Sequence, residues 1–101
     1  MQVIWTESAK LALKEIYNYY KRKASVKVAQ KIRLNIFSST KHLDKQPKMG
    51  HVEELLEDKE FEYRYLVEGN YKIIYFIKNK SVFIATVFDT RQSPEKLKKK
   101  I

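Results

Sequence analysis

From Phe61 onward the chain is almost unbroken strand material, and that stretch limits the possible fold more than any other feature. Phe61 to Val67 alternates Phe, Glu, Tyr, Arg, Tyr, Leu and Val, while Tyr71 to Ile77 and Val82 to Phe88 are dense in β-branched and aromatic residues. Such side chains suit a pleated, half-buried surface. Gly69-Asn70 separates the first two runs and is a two-residue hairpin signal; Asn79-Lys80 is a weaker one. A three-stranded antiparallel meander is expected.

These loops set the register. Val67 lies opposite Lys72, Tyr65 opposite Ile74 and Tyr63 opposite Phe76; the second loop sets Phe76 against Phe83, Ile74 against Ala85 and Lys72 against Val87. Opposed residues share a face of the sheet. One face therefore collects Tyr63, Tyr65, Lys72, Asp89 and Arg91 beside an apolar strip of Ile74, Phe76 and Phe83, expected to be exposed. The other collects Leu66, Ile73, Tyr75, Ile84, Thr86 and Phe88, and is expected to pack under helices. A one-residue slip inverts every such assignment.

The first half is helical apart from a short strand-type run, Val3-Ile4-Trp5. Thr6 is placed as an N-cap, with Glu7 in the first turn, where the helix dipole favours an acid. Ala9, Ala12/Leu13, Ile16/Tyr17 and Tyr20 form one apolar stripe, and the helix should stop near Lys21-Arg22-Lys23. Ser25 caps a second helix with a stripe of Val28/Ala29, Ile32, Ile36 and Leu43, fraying near Asp44 before the breaker Gln46-Pro47-Lys48-Met49-Gly50. A short connection between them implies an antiparallel helical hairpin. The acidic stretch before Phe61 fits a short helix or an extra strand, and Pro94 closes the last strand before a lysine-rich tail. The fold class is α+β, ordered β-α-α-β-β-β, with the hairpin on a small, mainly antiparallel sheet and one domain over residues 1–101.

Composition narrows function. The chain has no Cys, two His and two Gly, so no disulfide framework, no thiolate metal site and no Gly-rich nucleotide loop is available. No cofactor or metal is expected. No run approaches the roughly 18 apolar residues of a membrane span. Met1-Gln2-Val3-Ile4-Trp5 lacks the basic and apolar regions of a secretory signal, so a cytoplasmic protein is expected. The net charge is +9, with eleven Lys/Arg against three acids in residues 1–50 and ten against nine in residues 51–101. Such an excess attracts polyanions. Lys72 interrupts an otherwise apolar central strand, while His51 in a loop and His42 on a polar helix side carry no evident chemistry.

Trp5-Thr6 opening a helix with Ala9, Leu13, Ile16 and Tyr20, Leu43-x-x-x-Pro47-x-x-Gly50, and above all Gly69-Asn70-Tyr71-Lys72-Ile73-Ile74-Tyr75 resemble the RelE/ParE superfamily of toxins. Val87 to Pro94 is similar to that superfamily's late V-x-x-x-R-x-x-P pattern. The resemblance implies a small bacterial toxin of a type II toxin–antitoxin (plasmid stabilisation) module. It implies a cognate antitoxin that wraps and neutralises the toxin; the +9 charge and the apolar face expected to be exposed call for an acidic segment lying across the hairpin and sheet over Lys72 or Arg91. RelE-like members cut mRNA on the ribosome; ParE-like members poison DNA gyrase. Carried over by motif, the family's strand arginine falls on Lys72, its later arginine on Arg91, its two strand lysines on Tyr63 and Tyr65, and its C-terminal tyrosine near Leu97, which has no proton to give. The candidate site residues are thus Lys72, Arg91, Tyr63 and Tyr65. The incomplete acid–base set favours the ParE-like side. An mRNA endonuclease with a variant site and a non-toxic nucleic-acid-binding module are the alternatives.

Overall fold

The elements follow in order: β1 (Gln2–Trp5), α1 (Glu7–Lys23), α2 (Val26–Ser39), β2 (His51–Val52), β3 (Arg64–Glu68), β4 (Tyr71–Lys78), β5 (Ser81–Asp89) and α3 (Glu95–Lys100). They come from a computed structural model describing residues 1–101. Both helix caps are as the sequence predicts. The Ala9 N–H donates to Thr6 Oγ1 at 3.2 Å, and the Val28 N–H donates to Ser25 Oγ at 3.1 Å. The Thr6 hydroxyl also donates to the Ile84 carbonyl at 2.8 Å, so the α1 cap is fastened to β5. The second helix ends at Ser39 rather than near Asp44; a 3-10 turn over Lys41–Asp44 continues the stripe and still buries Leu43.

The five strands order as β1-β5-β4-β3-β2, with β1 parallel to β5 and all other pairs antiparallel. Both hairpin loops occur where expected. Asn79 and Lys80 each adopt positive φ, 51° and 61°, the pattern of a type I′ turn. The acidic stretch supplies both predicted possibilities: strand β2, with His51 in it rather than in a loop, and a 3-10 turn over Glu54–Leu56. The lysine-rich tail is helix α3, whose Leu97 is fully buried.

The predicted register holds from Glu68–Tyr71 through Phe76–Phe83 to Tyr75–Ile84 and then fails. Tyr75 faces Ile84, but Ile74 faces Thr86, so Ala85 is an extra residue in β5. This β-bulge inverts the remainder of the strand. Val87 and Asp89 turn to the helix side, opposite Ile73 and Tyr71, whereas Thr86 and Phe88 turn away, opposite Ile74 and Lys72. The expected grouping of Lys72 with Asp89 and Arg91 is thereby corrected.

Two apolar cores sandwich the sheet. The first joins Ala9, Ile36 and Leu43 to Ile73, Tyr75, Ile84 and Val87 under the helical hairpin. The second joins Leu56, Tyr63, Ile74, Phe88 and Leu97. The expected exposed strip is therefore covered at Ile74 and only in part at Phe76 and Phe83. Phe61 stacks on Phe76 at 4.3 Å between ring centres, and Leu97 of α3 closes over Ile74 and Phe88. The helical half has the stripe needed to hide one face; the second face acquires its lid from short irregular pieces with no periodicity to announce them.

Candidate functional site

The candidate residues divide between the two faces. On the face away from the hairpin, the Lys72 ammonium donates to Glu53 Oε2 at 2.6 Å and lies 4.2 Å from the centre of the Tyr65 ring. Glu53 is 4 % exposed, and its other oxygen accepts the Leu55 N–H at 3.2 Å. The His51 ring sits 5.6 Å from that of Tyr65. Tyr63, two residues back along the chain, is sealed against Phe61 and Phe76. Its burial, helped by the charge of Glu60, pushes the phenol above its ordinary value. A proton donor so placed is harder to ionise and only slightly exposed to solvent.

Arg91 is elsewhere. It lies past the end of β5 on the hairpin side, where its Nε and Nη2 donate to the two oxygens of Asp89, each at 2.9 Å. The Arg91 backbone N–H also donates to Asp89 Oδ1. These bonds hold the Asp89 carboxyl below the usual carboxylate range against the opposing effect of burial. Arg91 lines a groove of about 350 Å³ between α1, β5 and α3, with Glu15, Tyr19, Tyr71 and Lys100. The Tyr71 hydroxyl donates to that of Tyr20 at 3.3 Å. Burial first, then Tyr20 and Asp89, push the Tyr71 phenol far up despite the lowering influence of Arg91.

The structure thus brings together Lys72 and Tyr65, places Tyr63 in the core between β2 and β4, and separates Arg91 from all three. Two residues of the Lys72 cluster, Glu53 and His51, escaped the sequence reading. A signal for Glu53 existed: a lysine within a central apolar strand calls for a carboxylate, and six acids lie between Glu53 and Glu62. The pairing itself needs the third dimension. No three His, Cys, Asp or Glu side chains gather where a metal could be held. No helix is long and apolar enough to cross a membrane.

Tyr63, Tyr71 and Tyr75 all have phenols raised by burial, which sets an alkaline limit. An unfolded tyrosine ionises near pH ~10, so the folded state holds the proton more tightly. That stabilisation is complete below pH ~10 and is lost as pH rises from there through the folded values. The thermal midpoint should be level up to about pH 10 and fall steeply beyond, less steeply in Tyr71→Phe. Phenolate absorbance followed beside circular dichroism checks this; all seven tyrosines ionising while the dichroism stays native would contradict it.

A mixed sheet with a helical hairpin on one face and a C-terminal helix on the other is the architecture of a known toxin class. The chain superposes on a solved chain of the chromosomal ParDE TA system from P. aeruginosa with a TM-score of 0.75 and 21 % identity, covering 88 % of this chain and 95 % of that one. No curated protein matches. Residues 3–94 match the family described as the ParE toxin of type II toxin-antitoxin system, parDE, and the chain belongs to that family. An antitoxin is the partner such a system implies.

Proposed function

We propose that the chain is a toxin that disables its target by binding rather than by cutting RNA, with DNA gyrase as the target and plasmid stabilisation as the role. Cleaving RNA requires a base for the 2′-hydroxyl, cations for the phosphorane and an acid for the leaving oxygen, all converging on one phosphate. The observation that carries the reading is that Lys72 and Arg91 lie on opposite faces of the sheet, each held by its own carboxylate at 2.6 and 2.9 Å. The burial of Tyr63 and of Leu97 supports it further. Gyrase enters only as what the resemblance to ParE-like toxins implies, the family match being to a ParE toxin. The reading goes with a bacterial cytoplasmic protein whose acidic antitoxin reaches Arg91 in the groove beside α1, where the side chain is 53 % exposed against 22 % for Lys72.

One observation favours the endonuclease reading: His51, Tyr65 and Lys72 stand side by side at the β2 edge. Inducible expression with primer extension on abundant transcripts, alongside a supercoiling assay with purified gyrase, separates the two. Gyrase inhibition with DNA breaks and no discrete RNA cuts is expected. Codon-positioned cuts falling ~10²–10⁴-fold in Tyr65→Phe or His51→Ala would overturn the binding reading and make those groups catalytic.

A further inference from the structure

Three cations at the sheet, Lys72, Arg64 and Arg91, meet carboxylates at 2.6, 3.1 and 2.9 Å, while Lys78 lies 5.4 Å from the Phe61 ring centre. The hairpin differs: residues 7–39 carry eight Lys/Arg and two acids, Glu7 and Glu15. Glu15 lines the Arg91 groove on the other side of α1. Glu7 meets Lys10 at 3.4 Å with both side chains well exposed, a contact too solvated to cancel much charge.

Arg33 on α2, and Lys41 just beyond it, are steadied by neutral groups. Arg33 Nη2 donates to Gln30 Oε1 at 2.8 Å, and its guanidinium lies 4.8 Å from the Tyr17 ring centre. Lys41 lies 5.7 Å from the Phe37 ring centre. Such contacts position a cation without neutralising it. Between α1 and α2 runs a groove of about 520 Å³ lined by Lys10, Lys14 and Arg33 together with Trp5, Tyr17 and Phe37, and by no acid. Phe37 remains 42 % exposed there.

We propose that this groove binds single-stranded nucleic acid, with Lys10, Lys14 and Arg33 on phosphates and the aromatic side chains against a base. Cations interleaved with aromatic faces are the means by which proteins hold single strands without reading sequence. A duplex offers the same phosphates but keeps its bases stacked, leaving Phe37 unused. The site is distinct from the Lys72 cluster and from the Arg91 groove, and its occupancy does not depend on gyrase.

Fluorescence anisotropy with the purified chain and a labelled oligonucleotide of roughly a dozen nucleotides, as DNA and as RNA, tests this. The Lys14→Glu/Arg33→Glu variant should bind at least about tenfold more weakly, with the slope of log K against log salt reduced by about 1.4. Phe37→Ala should weaken the single strand by roughly tenfold and leave duplex binding nearly unchanged. Lys99→Glu on α3 should change affinity less than about twofold at physiological salt. Circular dichroism reports folding of each variant; if Arg33→Glu disturbs it, Lys10→Glu/Lys14→Glu on the exposed wall gives the same reading. Wild-type affinity in a folded double reversal, equal binding of duplex and single strand, or preferential binding of a polyglutamate peptide of matched charge would each overturn the proposal. The last outcome would assign the groove to an acidic protein segment.

Discussion

Gly50→Ala is expected to destabilise the protein by about 3 kcal/mol, the upper end of what overpacking a filled site costs. A Cβ at this position would stand 2.7 Å from the Tyr65 carbonyl oxygen, 2.7 Å from the Tyr75 hydroxyl and 2.9 Å from Tyr75 Cε1. None of these can retreat. Tyr75 is fully buried, and the Tyr65 carbonyl belongs to β3. The Gly50 N–H donates to the Tyr75 hydroxyl at 3.0 Å, and its carbonyl accepts from Arg64 Nη1 at 2.9 Å, so any shift breaks bonds as well as contacts. In a chain of this size the midpoint should fall by roughly 10–20 °C. Tyr75→Phe should cost about 1–3 kcal/mol, because it strands the buried Gly50 N–H. The double variant should cost less than the two added, since it removes one of the clashing atoms. Gly69→Ala is the contrast: φ is +59° but nothing lies within 4 Å, so only the left-handed backbone is strained, by about 1–2 kcal/mol. Urea titrations of the four variants check the ranking, and a Gly50→Ala protein as stable as Gly69→Ala would refute it.

Glu53→Ala should be nearly as damaging, by about 2–4 kcal/mol, since removing one partner of a buried ion pair leaves the other charge uncompensated. Glu53 and Lys72 side chains are 4 % and 22 % exposed, so water reaches the ammonium only in part. The same change strips the Leu55 N–H of its acceptor and loosens the turn that carries Leu56 into the second core. Lys72→Ala should also destabilise, whereas Arg91→Ala, on a side chain 53 % exposed, should cost little because solvent screens its ion pair. Toxicity lost in Lys72→Ala therefore counts as functional only after folding is shown; in Arg91→Ala it counts directly. A Glu53→Ala protein within about 0.5 kcal/mol of wild type would show the pair to be solvated and Lys72 available to an anion.

Most of the element order is legible in the residues. Thr6 and Ser25 announce the two helices because a capping oxygen acts within three residues, and Gly69-Asn70 and Asn79-Lys80 announce the hairpins because a turn is a local property. The register follows those turns as far as Tyr75 and Ile84. The site is less legible. Lys72 stands out as a cation among apolar neighbours, but Glu53 lies nineteen residues away and becomes its partner only when β2 and the 3-10 turn fold beside β4.

What the sequence determines by itself is whatever depends on near neighbours: periodicity, caps, turns, and a charge excess concentrated in the first fifty residues. The bulge at Ala85 appears only in the folded sheet. No residue type there demands an extra position, yet it turns Val87 and Asp89 toward the helices and Phe88 toward Leu97. Because side chains alternate with a period of two, that single inserted residue separates Arg91 from Lys72 and turns Phe88 into the face that Leu56, Phe61 and Leu97 cover.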